Sequence, residues 1–340
     1  MTQIDVIAPN LKRRLSGVTA TVVRLVPIQA REIGIVATGP GLPAHLPHVA
    51  LWRLPFLPRR QRVWHARRNT EMLLGLFLRD VLRMRLKLLF TSASQRQHSG
   101  YTKWLICKMD RVVATSQRTA SYLERDCDVI LHGIDTDSFT PAPDRAALRT
   151  KLGLPEGLLV GCYGRIRAQK GTDAFVDAMI AALPSRPGVT GLVMGRAVGE
   201  HGTFLEELKA RVAKAGLADR ILFLPEVSVD KMADWYRVLD LYIAPQRWEG
   251  FGLTPIEAMA CGVPVVATRV GAFEEIGTPD TGALVDADDP AALAQAAAPF
   301  LDNPARLAAA KQAARTRAET DFRIEGEAAA LVAIYREMLA

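Results

Sequence analysis

Two glutamates flank a glycine-rich turn in the segment RWEGFGLTPIEAMACGVPVVAT, residues 247–268. Glu249 stands just before Gly250 and Gly252, and Glu257 follows them. Glycines let the backbone approach a bound molecule closely, so that its amides can donate hydrogen bonds to that molecule. Carboxylates beside such amides suit a ligand with many hydroxyl groups, such as a sugar, better than they suit hydride transfer.

Each glutamate also has a simpler interpretation. Thr254, Pro255 and Glu257 have the spacing of a capping box, with Thr254 as the N-cap of a helix. That role does not exclude a ligand, because the second carboxylate oxygen of Glu257 could still accept from a hydroxyl. Glu249 would by default be a solvated loop charge. Its place just after an apolar strand-like run, 241–245, favours a ligand contact.

The sequence after residue 156 alternates between apolar runs and helix-like segments. Such alternation predicts a parallel sheet covered by helices on both faces. Ligands of these sheets bind beside the carboxyl ends of the strands. Strands are predicted at 158–164, 191–195, 221–225, 241–245, 263–268 and 282–285, and helices at 172–183, 203–215, 229–238, 290–302, 304–319 and 324–339.

The first half is predicted to be a second α/β domain, since its apolar runs also end in small or turn residues. A proline-rich stretch, 140–157, indicates the boundary. We expect domains over 1–150 and 151–320, with a last helix over 321–340 that packs back toward the first domain. Two such domains facing each other would enclose a deep cleft. The strands expected in the first half are 4–9, 33–38, 87–92, 111–116 and 128–133.

Charge is shared unevenly between the halves. Residues 1–155 carry 24 Lys and Arg against 11 Asp and Glu, a net charge of +13, whereas residues 156–340 carry 19 against 25, a net charge of −6. A basic half indicates an anionic partner, and membrane phosphate, an acidic glycolipid and nucleic acid are the candidates.

Arginines alternate with aromatics and prolines over residues 52–68, and further cations follow. Apolar residues between the later cations predict a basic amphipathic surface that docks on an anionic membrane. A solvated helix face is the alternative. The later cations are Arg79, Arg83, Arg85 and Lys87.

The composition further limits the class of protein to which the chain can belong. The 340 residues are 49% apolar and 23% charged, which is typical of a soluble globular protein of two domains. No apolar run reaches the roughly 18 residues that span a bilayer, and the start has no signal-peptide pattern. The cysteines lie far apart, which indicates a reducing compartment and neither a disulfide frame nor a zinc site. They are Cys107, Cys127, Cys162 and Cys261.

Five segments in order resemble the retaining glycosyltransferases of family 4, over about residues 110–320. His132 stands in one of them where asparagine is commoner in the family. The five are EGFGLTPIEAMACGVPVVAT (249–268), similar to the donor-site signature, YGRIRAQKG (163–171), LHGIDTDSF (131–139), VGAFEEIG (270–277) and TGALVDADD (281–289).

A narrower resemblance lies in the first half. The segments VWHARRNTEM (63–72) and SASQRQHSGYTKWLICKMDRVVATS (92–116) resemble the branch of this family that transfers mannose to lipopolysaccharide core. The resemblance implies a GT-B fold, two Rossmann-like domains with a nucleotide-sugar in the cleft.

The resemblance also implies roles for individual residues. Glu249 would accept from hydroxyls of the donor sugar, Glu257 would bind the ribose, and Arg165 and Lys170 would clamp the diphosphate. Two exposed loop cations are the alternative for that pair. The catalytic group is then Glu249, Arg165, Lys170 and His98, and the donor-binding residues are Gly17, Phe251, Gly252, Leu253, Thr254 and Glu257.

The assignments in the first half have weaker motifs. Gly17, beside Ser16, is the single glycine where the family has a glycine-rich loop against the phosphates. His98 stands where the family often has a histidine near the donor sugar, although a structural histidine is nearly as compatible. His65 is a further candidate for the reaction centre.

No metal or cofactor is expected. Asp135 and Asp137 have the form of a metal-binding Asp-x-Asp, but we interpret them as turn and helix-start residues. The GT-B family generally uses an Arg/Lys pair where other folds use Mg²⁺.

The leading hypothesis is a retaining hexosyltransferase that moves mannose from GDP-mannose to the inner core of lipopolysaccharide, working at the inner face of the cytoplasmic membrane. Alternatives are a UDP- or ADP-linked sugar, or another glycolipid or small-molecule acceptor. A nucleic-acid-binding protein is disfavoured because no recognition motif accompanies the basic half. A nicotinamide oxidoreductase is disfavoured because no G-x-G-x-x-G follows a predicted strand.

Overall fold

The computed structural model describes residues 3–12, 17–199 and 201–340, and the chain divides into two compact units. The first unit ends at His132 and also takes in Ile324–Ala340, whereas the second spans Gly133–Arg323. Each unit is built on a six-stranded parallel sheet. None of the helices described is long and apolar enough to cross a membrane.

The first sheet has the strand order β2-β1-β3-β4-β5-β6. Its strands are β1 (Val6–Pro9), β2 (Ile35–Thr38), β3 (Arg62–Ala66), β4 (Leu86–Ser92), β5 (Arg111–Ala114) and β6 (Asp128–Val129). Its helices are α1 (Gly17–Gln29), α2 (Asn69–Leu76), α3 (Gly100–Cys107), α4 (Gln117–Ala120) and, from the end of the chain, α13 (Ile324–Leu339).

The two-residue period of the strands builds two apolar layers on this sheet. Val6 and Ala8 of β1 face the layer that contains α1 and α13. Ile7 faces the opposite layer, which contains α2 and α3. Because both faces are covered, the central strands are mainly apolar, as expected of a buried parallel sheet, although Arg62 and His65 interrupt β3.

The second sheet has the strand order β12-β11-β10-β7-β8-β9. Its strands are β7 (Leu158–Tyr163), β8 (Val189–Met194), β9 (Ile221–Leu224), β10 (Leu241–Ala244), β11 (Val265–Thr268) and β12 (Gly282–Val285). The helices are α5 (Arg145–Lys151), α6 (Thr172–Ala182), α7 (His201–Lys214), α8 (Met232–Arg237), α9 (Leu253–Ala260), α10 (Phe273–Ile276), α11 (Pro290–Asp302) and α12 (Pro304–Asp321).

Each strand order contains one point at which the direction of strand addition reverses. In the second sheet β7 lies between β8 and β10, and in the first sheet β1 lies between β2 and β3. The loops that leave the two strands at such a point turn to opposite faces and open a crevice at the carboxyl edge. The crevices lie beside β7 and β10 in the second unit, and beside β1 and β3 in the first.

The α/β class predicted from sequence is confirmed, and in the second unit the predicted strands lie close to the observed ones. Two predictions in the first unit hold for only part of the predicted segment. Only Asp128–Val129 of the expected strand 128–133 pairs with a neighbour. The basic surface predicted over 52–68 contains strand β3, in which Arg62 is 3% exposed. Its guanidinium donates to the carbonyl oxygens of Ile4 (3.1 Å) and Pro58 (2.8 Å), which makes burial possible.

The division between the units falls at 132/133, not at the predicted 150/151. The intervening segment belongs to the second unit because its cations bind Asp240, at the start of β10. Arg145 approaches Asp240 at 2.7 Å and Arg149 at 2.6 Å, and Lys311 of α12 approaches it at 2.8 Å. The carboxylate also accepts from the backbone amide of Leu159 at 2.8 Å.

Asp240 should therefore control the acid stability of the second unit. Burial alone would raise the pKa of the Asp240 carboxyl, but Arg145 and Lys311 outweigh burial and lower it to about 2. The resulting stabilisation is present above the ordinary pKa of about 3.9 and is lost as pH falls toward 2. Asp240→Asn leaves three cations without their carboxylate and should lower the free energy of unfolding at pH 7 by about 3 kcal/mol.

Urea unfolding at several pH values measures this effect. Asp302→Asn is the matched control, since Asp302 pairs with Arg186 at the exposed surface and exposed pairs contribute little. Equal stability of the two variants at pH 7 would contradict the role given to Asp240.

Candidate functional site

The loops that follow β7 and β10 meet at the crevice of the second unit. The ammonium group of Lys170 forms an ion pair with the carboxylate of Glu249. Glu249 also accepts from the amide of Gly250 at 3.1 Å. A Cβ atom at Gly171 would lie 1.8 Å from the carbonyl oxygen of Pro245, so only glycine allows the loops to approach this closely. Both residues were candidates from the sequence, in which they lie 79 positions apart, and the structure brings them together.

Arg165 lies in the same loop as Lys170 but has a different environment. It is exposed, and no ion pair joins it to any residue that the structure describes. Gly164, just before it, has φ +139°, a conformation that favours glycine. The loop therefore presents one cation that already has a counter-charge and one that is available to an anion.

Arg247 holds the loop after β10 in place, a role that no motif in the sequence indicates. Its guanidinium forms a bidentate pair with Asp173 of α6, at 2.8 Å and 2.9 Å. It also pairs with Asp288 and donates to the carbonyl oxygen of Ala168. Burial alone would raise the pKa of Asp173, but Arg247 holds it below its usual value. Glu249, two residues after Arg247, is thereby fixed relative to α6.

The capping box predicted for Thr254 and Glu257 is wrong. Helix α9 begins one residue before Thr254, and its N-cap is Gly252, so Glu257 lies beyond the first turn. Pro255 occupies the third helical position. A backbone N–H group there would have no intrahelical acceptor, so the N–H that proline lacks costs the helix no hydrogen bond. Glu257 is therefore not needed to cap the helix.

Gly252 is required by its own backbone and by its neighbours. It has φ +91°, and a Cβ atom there would lie 2.2 Å from Cε1 of Phe273, whose ring is 1% exposed. The same atom would lie 3.0 Å from Cγ of Glu249. Phe251, beside Gly252, is buried, and its carbonyl oxygen accepts from the amide of Ala272 at 3.1 Å. The turn between the two glutamates is therefore tightly packed.

Glu257 is oriented by a cluster of buried tyrosines. The hydroxyl of Tyr236 donates to Oε2 of Glu257 at 2.9 Å. The rings of Tyr163, Tyr236 and Tyr242 pack with centroids 5.3 to 5.9 Å apart. Burial raises the pKa of Tyr236 well above its usual value, and the neighbouring Glu257 adds to this. Tyr236 is thus a neutral donor to a half-buried carboxylate. No spacing rule reveals such a cluster, because its members come from β7, α8 and β10.

The crevice of the first unit contains a buried polar network. Nη1 of Arg68 donates to Asn10 at 2.9 Å and to Glu71 at 2.7 Å, and its Nη2 donates to Thr19 at 3.1 Å. Asn10 and Glu71 are fully buried. Gly17 is the first residue of α1, whereas its neighbour Ser16 lies outside the described residues.

His65 lies beneath this crevice as a fully buried, neutral side chain. Its Nδ1 is 2.7 Å from the hydroxyl of Tyr335 in α13, and its Nε2 is 2.6 Å from that of Thr91. Burial lowers the pKa of His65 well below its usual value, and Arg67 lowers it further. These contacts give His65 a structural role that joins the last helix to the sheet.

Of the two histidines, His98 is the better placed to contact a ligand. It lines a cavity at the carboxyl end of β4, and its buried Nε2 has no hydrogen-bond partner among the described residues. Burial lowers its pKa, and Arg96 and Lys103 lower it further. His98 therefore offers an uncharged imidazole to a ligand in that cavity.

Asp135 and Asp137 form a turn, as the sequence indicated, although no helix starts there. The carboxylate of Asp135 accepts from the amides of Asp137 and Ser138, both at 3.0 Å. Across the described ranges no group of three or more potential metal ligands is assembled.

Two units, each built on a parallel sheet with polar loops at its reversal point, define a GT-B protein. The structure of Anabaena Alr3699/HepE in complex with UDP superposes with a TM-score of 0.86, at 18% identity, over 98% of this chain and 100% of that one. The C-terminal domain of a glycosyl transferase group 1 family protein (LpcC) from Francisella tularensis is 32% identical, with a TM-score of 0.54, over 56% of this chain and 100% of that one.

Sequence comparison gives closer relatives. The lipopolysaccharide core biosynthesis mannosyltransferase LpsB of Rhizobium meliloti (strain 1021) is 56% identical, over 99% of this chain and 98% of the relative. The protein LpcC of Rhizobium leguminosarum bv. viciae, which has the same description, is 52% identical over 99% and 97%. Residues 157–303 match the family Glycosyl transferases group 1. The chain belongs to this family and is a glycosyltransferase.

The packing around Gly252 predicts that a single added methyl group at this position will strongly lower the stability of the protein. Gly252→Ala adds a Cβ in a left-handed conformation and against Phe273, so the free energy of unfolding should fall by about 2 kcal/mol. Gly202→Ala in α7 is the control, because a Cβ there meets nothing within 4 Å. Thermal unfolding measures both, and an unchanged midpoint for Gly252→Ala would show that the turn can relax.

Proposed function

We propose that this glycosyltransferase moves a mannosyl group from GDP-mannose to the inner core of lipopolysaccharide. The observation that carries the proposal is the meeting of Lys170, Glu249 and the available cation Arg165 at the reversal point of the second sheet. The choice of sugar and acceptor is supported by the two relatives described as lipopolysaccharide core mannosyltransferases, which align over nearly the whole chain.

Arg165 and Lys170 bind the diphosphate of the donor in this proposal. When the bond between sugar and phosphate breaks, negative charge grows on the diphosphate, so cations placed there stabilise the transition state more than the ground state. Lys170 is held by Glu249 in the free site. An arriving diphosphate gives Lys170 a second anionic partner, and Glu249 can then accept hydrogen bonds from the sugar hydroxyls.

The segment between the glutamates holds the rest of the donor. The amides of Phe251, Gly252, Leu253 and Thr254 donate to the sugar and phosphate oxygens at the start of α9, where the helix dipole favours negative charge. Glu257, fixed by Tyr236, accepts from the ribose hydroxyls. Gly17, at the start of α1, is assigned to phosphate binding by the resemblance alone.

The transfer retains the configuration of the sugar by reaction on one face. An acceptor hydroxyl forms the new bond to the anomeric carbon on the side from which the phosphate leaves, and its proton passes to an oxygen of that phosphate. The resemblance assigns His98 to this reaction, which it would serve as a neutral hydrogen-bonding group. The cations Arg165 and Lys170 supply the charge that a metal supplies in other folds, so neither metal nor cofactor takes part.

A panel of nucleotides tests the donor assignment. A nucleotide at 100 times its Kd should add about 2.7 kcal/mol to the free energy of unfolding, and GDP should do so at lower concentration than UDP or ADP. Lys170→Ala and Arg165→Ala should each remove a charge-assisted hydrogen bond of roughly 1.5–3 kcal/mol. We expect weaker GDP stabilisation and at least a ten-fold slower transfer.

Mannose transfer should persist in EDTA, since the cations replace a metal. Lys214→Ala, an exposed lysine at the end of α7, is the control for loss of charge. Near-normal transfer by both clamp variants would refute the diphosphate assignment. Activity that EDTA removes and Mg²⁺ restores would instead require a metal site.

We further propose that the first unit docks on an anionic membrane surface that carries the acceptor. A stripe of exposed apolar side chains runs along α2 and the helical turn that follows it, at Leu73, Phe77 and Val81. Helix α3 packs beside α2 and exposes Tyr101 and Trp104, whose rings stack at 6.3 Å. Such side chains insert between lipid headgroups when cations flank them.

The flanking cations are Arg83, Arg85 and Lys87, all exposed. They replace the arginines of 52–68 as the main electrostatic contact, because Arg62 and Arg67 are buried. That segment still contributes Trp52 and Phe56, which are 67% and 81% exposed.

Vesicle binding tests the docking surface. Changing Arg83, Arg85 and Lys87 together to glutamine should weaken binding to anionic vesicles about ten-fold or more, since each cation contributes on the order of 1 kcal/mol. Binding by the unchanged protein should also weaken as salt rises, because screening acts over about 8 Å at physiological salt.

The control removes three exposed lysines from the second unit. They are Lys209, Lys214 and Lys231. Equal loss of vesicle binding in the control would show a dependence on net charge alone, and no binding to anionic vesicles at low salt would refute the docking proposal. GDP affinity should be unchanged in both triple variants.

A further inference from the structure

A cavity of about 330 Å³ opens in the first unit at the carboxyl ends of β3 and β4. This volume lies at the small end of the range for ligand pockets. None of the described residues that line it carries a carboxyl group. Its lining consists of Arg67, Asn69, Phe90, Ser92, Ala93, Ser94, Arg96, Gln97, His98, Ser99 and Thr102.

Arg67 is the residue of this cavity whose surroundings indicate an anionic ligand. The residue is 8% exposed, yet no ion pair joins its guanidinium to a described carboxylate. Its Nη1 donates to the carbonyl oxygen of His65 at 3.2 Å, its Nη2 lies 3.3 Å from Nδ1 of His65, and its Nε has no hydrogen-bond partner among the described residues. A cation this deeply buried is unfavourable unless an anion compensates it.

The groups around Arg67 do not supply that anion. His65 is neutral, and burial raises the pKa of Tyr335 to about 12, so its hydroxyl stays protonated. Glu71 accepts from the backbone amide of Arg67 at 2.8 Å, but its ion pair is with Arg68, at 2.7 Å. Arg67 therefore lines the cavity without an ion-pair partner among the described residues.

A second cation and several hydroxyls complete the lining. Arg96 is exposed at the cavity, and no ion pair is formed between it and the described part of the chain. Ser99 and Thr102 lie at the start of α3, where Nδ2 of Asn69 donates to Oγ1 of Thr102 at 2.8 Å. Two cations surrounded by hydroxyls and amides match an anion carried by a hydroxylated molecule.

We propose that this cavity binds an acidic sugar of the acceptor, with Arg67 and Arg96 holding its oxyanion and the hydroxyls of Ser94, Ser99 and Thr102 contacting its ring. The proposal rests on the proposed function, since it names a part of the acceptor. Planar guanidinium groups suit a carboxylate or phosphate because they bind both oxygens at once. Because His98 lines the same cavity, the acidic sugar would bring a hydroxyl close to it.

The experiment uses core oligosaccharide freed of its acyl chains, so that membrane binding does not contribute. Equilibrium binding to the full-length protein is measured with three forms of this probe: untreated, with its carboxyl groups reduced to alcohols, and with its phosphates removed. Arg96→Gln and Arg67→Lys should each weaken binding of the untreated form about ten-fold or more, and raise its KM in transfer by a similar factor. GDP stabilisation should stay the same.

The two modified probes identify the oxyanion. The form that lacks the recognised group should bind the unchanged protein as weakly as the untreated form binds the variants, and Arg96→Gln should not weaken it further. Arg31→Gln, an exposed cation of the first unit outside the cavity, is the control and should behave as the unchanged protein. Arg96→Gln keeps the test valid if Arg67→Lys unfolds, because Arg96 is exposed.

Two results separate this proposal from the proposed function. Unchanged affinity of both variants, or equal binding of all three probes, overturns the acidic-sugar site even if mannose is transferred. Charge-dependent binding in this cavity without mannose transfer supports the site and overturns the proposed function instead.

Discussion

A parallel sheet places all its strand ends at one edge, but most neighbouring loops fold to the same side and cover one another. The order of addition reverses once in each sheet of this protein, beside β1 and beside β7. There two adjacent loops diverge and leave room for a ligand. The Lys170–Glu249 pair and the Arg68 network occupy these two places. Chain topology, more than any individual side chain, determines where the polar chemistry lies.

At both reversal points, charged side chains must be held close to the apolar interior of the sheet. The second unit meets this requirement with a compensated group, since Arg247 has two carboxylate partners. The first unit compensates Arg68 through Glu71 but leaves Arg67 without a counter-charge. Under the proposed function, the second unit would hold a rigid turn for the donor and the first unit would gain its anion from the acceptor.

The sequence predicted the second unit well because its strands are uninterrupted apolar runs and its helices have clear ends. It failed at β3, because Arg62 and His65 break the apolar pattern and are accommodated only by distant carbonyl and hydroxyl groups. Glu249 and Lys170 were found because motif resemblance marks them. Arg247, Tyr236 and Arg67 were missed as parts of the site, since their roles depend on partners far along the chain that no local spacing reveals.

The return of α13 to the first unit has a consequence for the order of folding. Tyr335 is needed to partner His65, and Leu331, Val332 and Tyr335 complete the apolar layer on α1. During synthesis the first unit must therefore wait, with that layer uncovered, until α13 has left the ribosome. The second unit is continuous in sequence and can be complete earlier. We therefore expect the reverse of the usual order, in which the amino-terminal domain folds first, because the layer that α13 covers stays exposed while the second unit is made.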